Sequence, residues 1–185
     1  MLFRSVGDNN TTMTNSHNTT INLSGNNAST IIVLPFGKEN TDYLNNEQFL
    51  DKCLRRTDKG VLDYIASKHF HANHPENHNI KVTNLKLPYV KTFTGKVWET
   101  QHKDVVLDEM VSDTCDILDD HYDRIKDDIR GHMANHRSFV RVIEEFIKTM
   151  DNEDKREKLY RELRRDAYLM IANKTRCNQQ AAVQQ

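Results

Sequence analysis

The sequence predicts an α+β protein: a small antiparallel sheet with short helices, followed by a long helical C-terminal region. Strand-forming residues dominate three segments between residues 79 and 100, NIKVT, YVKTF and KVWET. From residue 103 onward, apolar residues recur three and four positions apart, which is the spacing of amphipathic helices. A chain of 185 residues is long enough to bury one good core.

Composition and periodicity divide the chain into four segments. We predict an Asn/Thr-rich arm or disordered tail at 1–30, a small α+β module at 31–102, a helical hairpin or bundle at 103–176, and a disordered tail at 177–185. The first segment has too few apolar side chains to offset the entropy lost on ordering. Alternatively, its Thr and Asn residues form strands that pair only between chains, which would make it an oligomerisation arm.

The α+β module begins with a β-branched run at 31–34, which predicts a buried strand that ends at a Pro-Phe-Gly turn and forms one small sheet with the strands at 79–100. A helix follows, with Asn45 or Asn46 as its N-cap. The segment 57–60 breaks this helix, and a second short helix ends near His69.

The rest of the module is predicted to be a polar loop and a hairpin. Pro75 disfavours a helix in the loop HANHPENHN. Thr94-Gly95 is a good two-residue turn between strands at 89–93 and 96–100. The aromatic residues Tyr89, Phe93 and Trp98 of this hairpin are candidates for structural packing or for contact with a partner.

Three apolar stripes separated by short breaks predict the C-terminal helices. Gly131 interrupts the first stripe, and Asp151 is a candidate cap for the third helix. The stripes suggest a bundle that another chain could complete, and so a homo-oligomer. Their members are Leu107, Val111, Thr114, Leu118, Tyr122, Ile125 and Ile129; Phe139, Val142, Ile143, Phe146, Ile147 and Met150; and Leu159, Tyr160, Leu163, Ala167, Met170 and Ile171.

The overall composition argues against several classes of protein. The formal net charge of −1 is unlike that of a strongly basic nucleic-acid or membrane binder. The three cysteines are far apart and odd in number, which indicates reduced thiols in an intracellular protein. The N-terminus lacks the apolar core of a signal peptide, and no run of residues approaches the length of a membrane span.

The histidine-rich loop is the first candidate for chemistry. His71, His74 and His78 could hold zinc or another divalent metal if their side chains converged. Pro75 prevents one helical face from presenting all three. The alternative is a polar loop whose Asn side chains hydrogen-bond to its own backbone, with no cofactor.

The same loop loosely resembles the His-then-Asn loop of His-Asn-His nucleases. The resemblance implies that His71 is the general base, Asn77 orients the loop, and His102 binds a metal just before a helix. A whole hairpin separates Asn79 from His102 in this chain, whereas that family runs quickly from its loop into its helix.

A basic group on the last helix is a candidate for phosphate contact. Arg161, Arg164 and Arg165 lie on its polar side, where acidic neighbours dilute their charge. The acidic face of the first long helix is expected to be solvated or to pair with this basic helix.

Three segments, in this order along the chain, resemble a module of giant double-stranded DNA viruses of the mimivirus type: LPFGKENTDYL, HFHANHPENHNIKVTNLKLPYVKTFTGKVWE and KDVVLDEMVSDTCDILDDHYD. The resemblance covers roughly residues 31–130, and its most specific parts are the motifs at 36–39 and 75–80. In that family the module often lies behind zinc-finger or coiled-coil segments. The resemblance implies host cytoplasm or virion, and an accessory role in a nucleic-acid-associated or assembly protein. It carries over no catalytic residues.

The sequence therefore favours a non-catalytic viral interaction or oligomerisation module. Its expected partners are a second copy of the chain and other viral proteins, with nucleic acid as a further candidate and no membrane. The alternative is a metal-dependent nuclease that uses His71, Asn77 and His102.

Overall fold

The computed structural model describes residues 20–21, 31–132 and 137–183. The predicted α+β class is confirmed, with a small antiparallel sheet, short helices and long C-terminal helices. The strands are β1 (Thr20–Ile21), β2 (Ile31–Ile32), β3 (Ile80–Lys81), β4 (Tyr89–Phe93) and β5 (Trp98–His102). The helices are α1 (Glu47–Arg56), α2 (Asp58–Phe70), α3 (Lys103–His132), α4 (Arg137–Asp151) and α5 (Glu153–Val183).

The strands form two separate antiparallel groups. β1 pairs with β2, while β4 lies between β3 and β5 in the other group. The prediction that residues 31–34 join the larger sheet is wrong, because Ile31–Ile32 pairs with Thr20–Ile21 instead. Residues 20–21 are the only described part of the predicted arm, and they pair within the chain. The other residues of that arm or tail lie outside the described ranges.

The hairpin between β4 and β5 has a longer connection than the predicted two-residue turn. Phe93 pairs with Trp98, so residues 94–97 connect the two strands and β5 begins at Trp98. Thr94 closes the connection, because its N–H donates to the Val97 carbonyl at 3.0 Å. Gly95 has a φ of +91°, and a Cβ there would lie 2.9 Å from Pro35 Cγ. Glycine is therefore required at this position both by its conformation and by its packing.

Helices α1 and α2 meet at a very close contact. Asn46 caps α1 by accepting a hydrogen bond from the Phe49 N–H at 3.2 Å. The predicted break is shorter than expected, since Thr57 alone separates the helices, with a φ of +50°. Gly60 lies inside α2, where a Cβ would be 1.8 Å from the Cys53 carbonyl oxygen. Its missing side chain lets the helices approach.

The three apolar stripes of the long helices are largely buried within one chain. They share one core with α1, α2 and the three-stranded sheet. A second chain, which the sequence suggested would complete the bundle, is therefore not needed to cover these stripes, because α1, α2 and the sheet already cover them. Val142 is an exception and is 49% exposed, while the side chains of Ile129 and Phe139 lie outside the described set.

The boundaries of α4 and α5 differ slightly from the prediction. Asn152 caps α5 by accepting a hydrogen bond from the Lys155 N–H at 3.1 Å, whereas Asp151 is the last residue of α4. Helix α5 continues to Val183 and so includes most of the stretch that the sequence assigns to a tail. That stretch contains Gln and Ala, which favour helix, and no Gly or Pro. None of the helices in the described ranges is long and apolar enough to span a membrane.

Candidate functional site

Two motifs that are far apart in sequence meet in one buried cluster. The turn after β2 supplies Glu39, the end of α2 supplies His69, and the loop before β3 supplies Asn77 and Asn79. All four side chains are almost fully buried, with at most 2% exposed. We call these four residues the buried polar network.

Asn79 is the central member of the buried polar network. Its amide nitrogen donates to Glu39 Oε1 at 2.7 Å and to the Leu34 carbonyl at 3.2 Å. Its amide oxygen lies 3.0 Å from His69 Nδ1. Since that oxygen can only accept, His69 must carry its proton on Nδ1. The backbone carbonyl of Asn79 accepts from the Phe93 N–H at 2.8 Å, which ties the network to β4.

Asn77 joins the loop before β3 to the segment that follows β2. Its Oδ1 accepts from the Asn40 N–H at 3.0 Å, and its Nδ2 donates to the Asn40 carbonyl at 2.7 Å. Nδ2 also donates to the Tyr43 hydroxyl at 3.3 Å. One side chain thus satisfies both backbone groups of a residue 37 positions away.

The ionisable pair in the network consists of a carboxylate and a neutral imidazole. Burial lowers the pKa of His69 to about 4, against the attraction of Glu39, so the ring is neutral at pH 7. Burial alone would raise the pKa of Glu39, but His69, Lys68 and the Asn79 hydrogen bond favour its charged form, and the net shift is downward. Lys68 Nζ lies 3.3 Å from Glu39 Oε2 and supplies the counter-charge.

This arrangement is suited to holding segments together and unsuited to reacting with a substrate. The polar atoms of Asn77 and Asn79 are engaged in hydrogen bonds, and His69 is 1% exposed. A general base must reach its substrate, and a fully buried imidazole does not. The network therefore acts as a polar clamp between the turn after β2 and the loop before β3.

The three histidines of the predicted metal site do not point to a common centre. The His71 and His74 rings lie 5.2 Å apart, and His74 stacks on Tyr43 with a centroid separation of 3.6 Å. His78 Nε2 is instead 3.1 Å from the His71 backbone carbonyl. Among residues 31–127 and 140–178, no group of three His, Cys, Asp or Glu side chains is placed to hold a metal ion.

The three residues of the nuclease hypothesis do not form one site, because His71 and Asn77 both contact Tyr43 whereas His102 lies elsewhere. Asn77 is buried against Asn40, while His71 is partly exposed next to Tyr43. The Asn79 backbone bonds to Phe93 at one end of β4. His102 pairs with Tyr89 at the other end, four residue pairs away along the β4–β5 ladder. Four residues of strand correspond to about 13 Å.

The predicted partner-facing aromatic residues occupy three different environments. Tyr89 is 44% exposed, and Trp98 is half-buried with Lys81 Nζ 3.7 Å from its ring centroid. Phe93 is fully buried, so it packs in the interior and cannot contact a partner in this conformation.

The predicted phosphate-contacting arginines have acidic neighbours. Arg164 bonds to Asp108 of α3 and, at 3.0 Å, to Glu157. Arg165 Nε donates to Asp166 at 3.0 Å. Arg161 is exposed and 3.9 Å from Glu157. The basic side of α5 thus pairs with acidic residues, including one on α3.

Sequence reasoning did not identify Glu39, His69 and Asn79 as one cluster. The available signal was the presence of Glu and Asn in two motifs bordered by strand and turn residues. That signal does not say which polar residues become buried together. Comparisons of this chain with protein-family models, curated proteins and solved structures found no match.

Proposed function

We propose that this chain is a non-catalytic interaction module that associates with itself and with other proteins. The observation that carries the proposal is a preorganised apolar loop between β3 and β4. Residues 83–88 are all exposed, and they include Leu85 and Leu87, which are 40% and 49% exposed. We call Leu85, Leu87 and Pro88 the apolar loop. Clustered exposed apolar side chains are typical of interaction sites.

Hydrogen bonds hold the apolar loop in one conformation. The Tyr168 hydroxyl of α5 donates to the Leu87 carbonyl at 3.0 Å, and the Lys103 N–H donates to the Pro88 carbonyl at 2.9 Å. Within the loop, the Lys86 N–H donates to Asn84 Oδ1 at 2.9 Å. A loop that is already ordered loses less entropy when a partner binds, which favours association.

The buried polar network supports the same proposal from the other end of β3. It fixes the residue before β3, while β4 and α5 fix the loop after it. The ionisable and amide side chains of the buried polar network thus stabilise the fold, while the exposed side chains of the apolar loop remain available for contact with a partner.

The resemblance to a giant-virus module extends the proposal to cellular context. We place the protein in virus-infected host cytoplasm or in the virion, as an accessory module of an assembly or nucleic-acid-associated protein. The free cysteines Cys53, Cys115 and Cys177 are consistent with a reducing compartment.

The test is sedimentation velocity of the full chain over a range of protein concentrations. Wild type is expected to form a concentration-dependent dimer or larger species. The double variant Leu85→Ser/Leu87→Ser removes the two exposed leucine side chains of the loop and is expected to remain monomeric at the same concentrations. It should still fold, because exposed side chains contribute little to stability.

Val142→Ser is the matched control, because Val142 is equally exposed on α4, away from the loop. It is expected to associate like wild type. Equal association of all three proteins, or a monomeric wild type at every concentration, would refute the proposal.

A further inference from the structure

The outer face of the three-stranded sheet carries a row of lysines flanked by aromatic rings. Lys81, Lys91 and Thr100 pair across β3, β4 and β5, so their side chains project from the same face. Tyr89 and His102 form the next pair on this face, with ring centroids 5.9 Å apart. The opposite face carries Ile80, Val82, Val90 and Thr92, which are buried. We call Lys81, Lys91, Tyr89, Trp98 and His102 the lysine–aromatic face.

This face is open at one end of the sheet. Tyr89 and Thr100 are exposed, and the His102 side chain is 49% exposed. At the other end, Phe93 and Asn79 are covered by the turn after β2 and by α2. The open part therefore presents Tyr89 and His102 next to the two lysines, with Trp98 on the edge strand.

The two lysines are arranged unfavourably for the isolated protein. Lys81 and Lys91 are directly paired across adjacent strands, where like charges repel. Burial, together with the charge of Lys91, lowers the pKa of Lys81. The Trp98 ring beneath Lys81 Nζ attracts the ammonium, but it carries no negative charge that would neutralise the repulsion between the two lysines. A bound anion would relieve it.

The charge of the surrounding segment has the same sign. Residues 79–103 contain five lysines and a single acidic residue, Glu99. Glu99 is paired with Thr92 and so projects from the opposite face. Asp104 lies at the open end of this face, where its Oδ2 is 3.6 Å from His102 Nδ1. The near-zero net charge of the whole chain conceals this local excess, because the acidic residues concentrate in α3.

We propose that the lysine–aromatic face binds single-stranded nucleic acid, with Lys81 and Lys91 contacting phosphates, the exposed Tyr89 ring stacking on a base, and Trp98 lying beside the bound strand next to Lys81. Lysines interleaved with exposed rings on an open surface are what a sequence-tolerant single-strand site requires. A duplex hides its base faces, so it could use the lysines but not the rings. This site does not depend on the apolar loop, and its failure would leave the proposed self-association standing.

Fluorescence of the full chain tests the proposal directly, because Trp98 is the single tryptophan. The probe is a poly-dT or poly-U oligonucleotide of about 12 nucleotides, within the usual site size of such modules. Wild type is expected to show Trp98 quenching on titration at low salt, with an affinity that falls as salt is added. No quenching and no binding by anisotropy would overturn the proposal.

Variants separate phosphate contact from base stacking. Lys81→Gln/Lys91→Gln is expected to weaken binding about tenfold and to lower the slope of log Kd against log salt by about 1.4, the value for two phosphates on a single strand. Tyr89→Ala is expected to weaken binding by roughly five- to hundredfold. Tyr89→Phe is expected to bind like wild type, because stacking requires the ring and not its hydroxyl.

Lys52→Gln/Lys59→Gln is the matched control, with two exposed lysines removed from α1 and α2. It is expected to bind like wild type. An equal loss in this control would overturn the proposal, since the effect would then be one of net charge. The proposal would also fail if duplex DNA bound as well as the single strand with no effect of Tyr89→Ala, or if a poly-glutamate peptide competed as well as the oligonucleotide.

Discussion

At the scale of single residues, Asn79 has the largest structural role that the sequence does not reveal. It bonds to Glu39, His69 and Leu34 with its side chain and to Phe93 with its backbone. Removing a buried partner leaves the remaining groups unsatisfied, and each such group costs more than a hydrogen bond contributes. The stability of the α+β module should therefore be unusually sensitive at this residue.

Asn79→Ala is expected to lower the free energy of unfolding by about 2–4 kcal/mol, because it strands buried groups of Glu39, His69 and Leu34. Urea denaturation followed by circular dichroism measures the change. Asn73→Ala is the control, since Asn73 lies exposed in the adjacent loop and should change stability by less than about 0.5 kcal/mol. Similar losses in the two variants would contradict a special role for the buried polar network.

His69 should make the stability depend on pH. Its pKa is 6.5 in the unfolded chain and about 4 in the folded chain. Between these values the unfolded state binds the proton more readily than the folded state does. The contribution of His69 to the free energy of unfolding is therefore fully present above pH 6.5 and is lost as the pH decreases towards 4. The full shift corresponds to about 3 kcal/mol. The lowered pKa of His78 acts in the same direction.

Urea denaturation at several pH values between 6.5 and 4 measures this dependence. His69→Gln keeps a donor for Asn79 but cannot be protonated, so its stability should vary less with pH than that of wild type. His102→Gln, which removes an exposed histidine, is the control, and its stability should vary more steeply with pH than that of His69→Gln. If His69→Gln keeps the full slope, the ring does not titrate as the structure implies.

At the scale of elements, the contact between α1 and α2 depends on one glycine. From the sequence, Gly60 looks like part of a helix break, yet it lies within α2 and is buried against Cys53. A Cβ at Gly60 would meet a backbone atom, which cannot move out of the way as a flexible side chain can. The two helices would have to separate.

Gly60→Ala is therefore expected to destabilise the protein by at least about 2 kcal/mol, although alanine favours a helix more than glycine does. Thermal or urea unfolding measures the loss. Lys59→Ala, at the neighbouring exposed position of α2, should have little effect. A Gly60→Ala variant more stable than wild type would contradict the close contact between α1 and α2.

Elements were predictable where the signal is local. The stripes of α3, α4 and α5 follow from spacings of three and four residues, and Asn46 was one of two candidate caps for α1. The connection between β4 and β5 was mispredicted, because the packing of Gly95 on Pro35 depends on a residue far away in the chain. The buried polar network joins residues up to 40 positions apart, a separation on which local patterns carry no information.

At the scale of the whole molecule, one core unites the predicted α+β module with the helical region. Residues of α1, α2, β3, β4 and the three long helices all contribute to it. The helical stripes that suggested self-association are consequently used inside the chain. The proposed association would instead use surfaces that the fold leaves exposed, and in the apolar loop hydrogen bonds hold such exposed apolar side chains in position.

The proposed self-association requires that the chain bind a second copy through surfaces that its fold leaves exposed. Light scattering of the purified full chain at increasing concentration measures its mass in solution most directly. We expect a mass above the 21.6 kDa of one chain that rises with concentration and returns to 21.6 kDa in Leu85→Ser/Leu87→Ser. A constant mass of 21.6 kDa for wild type at every concentration would contradict it.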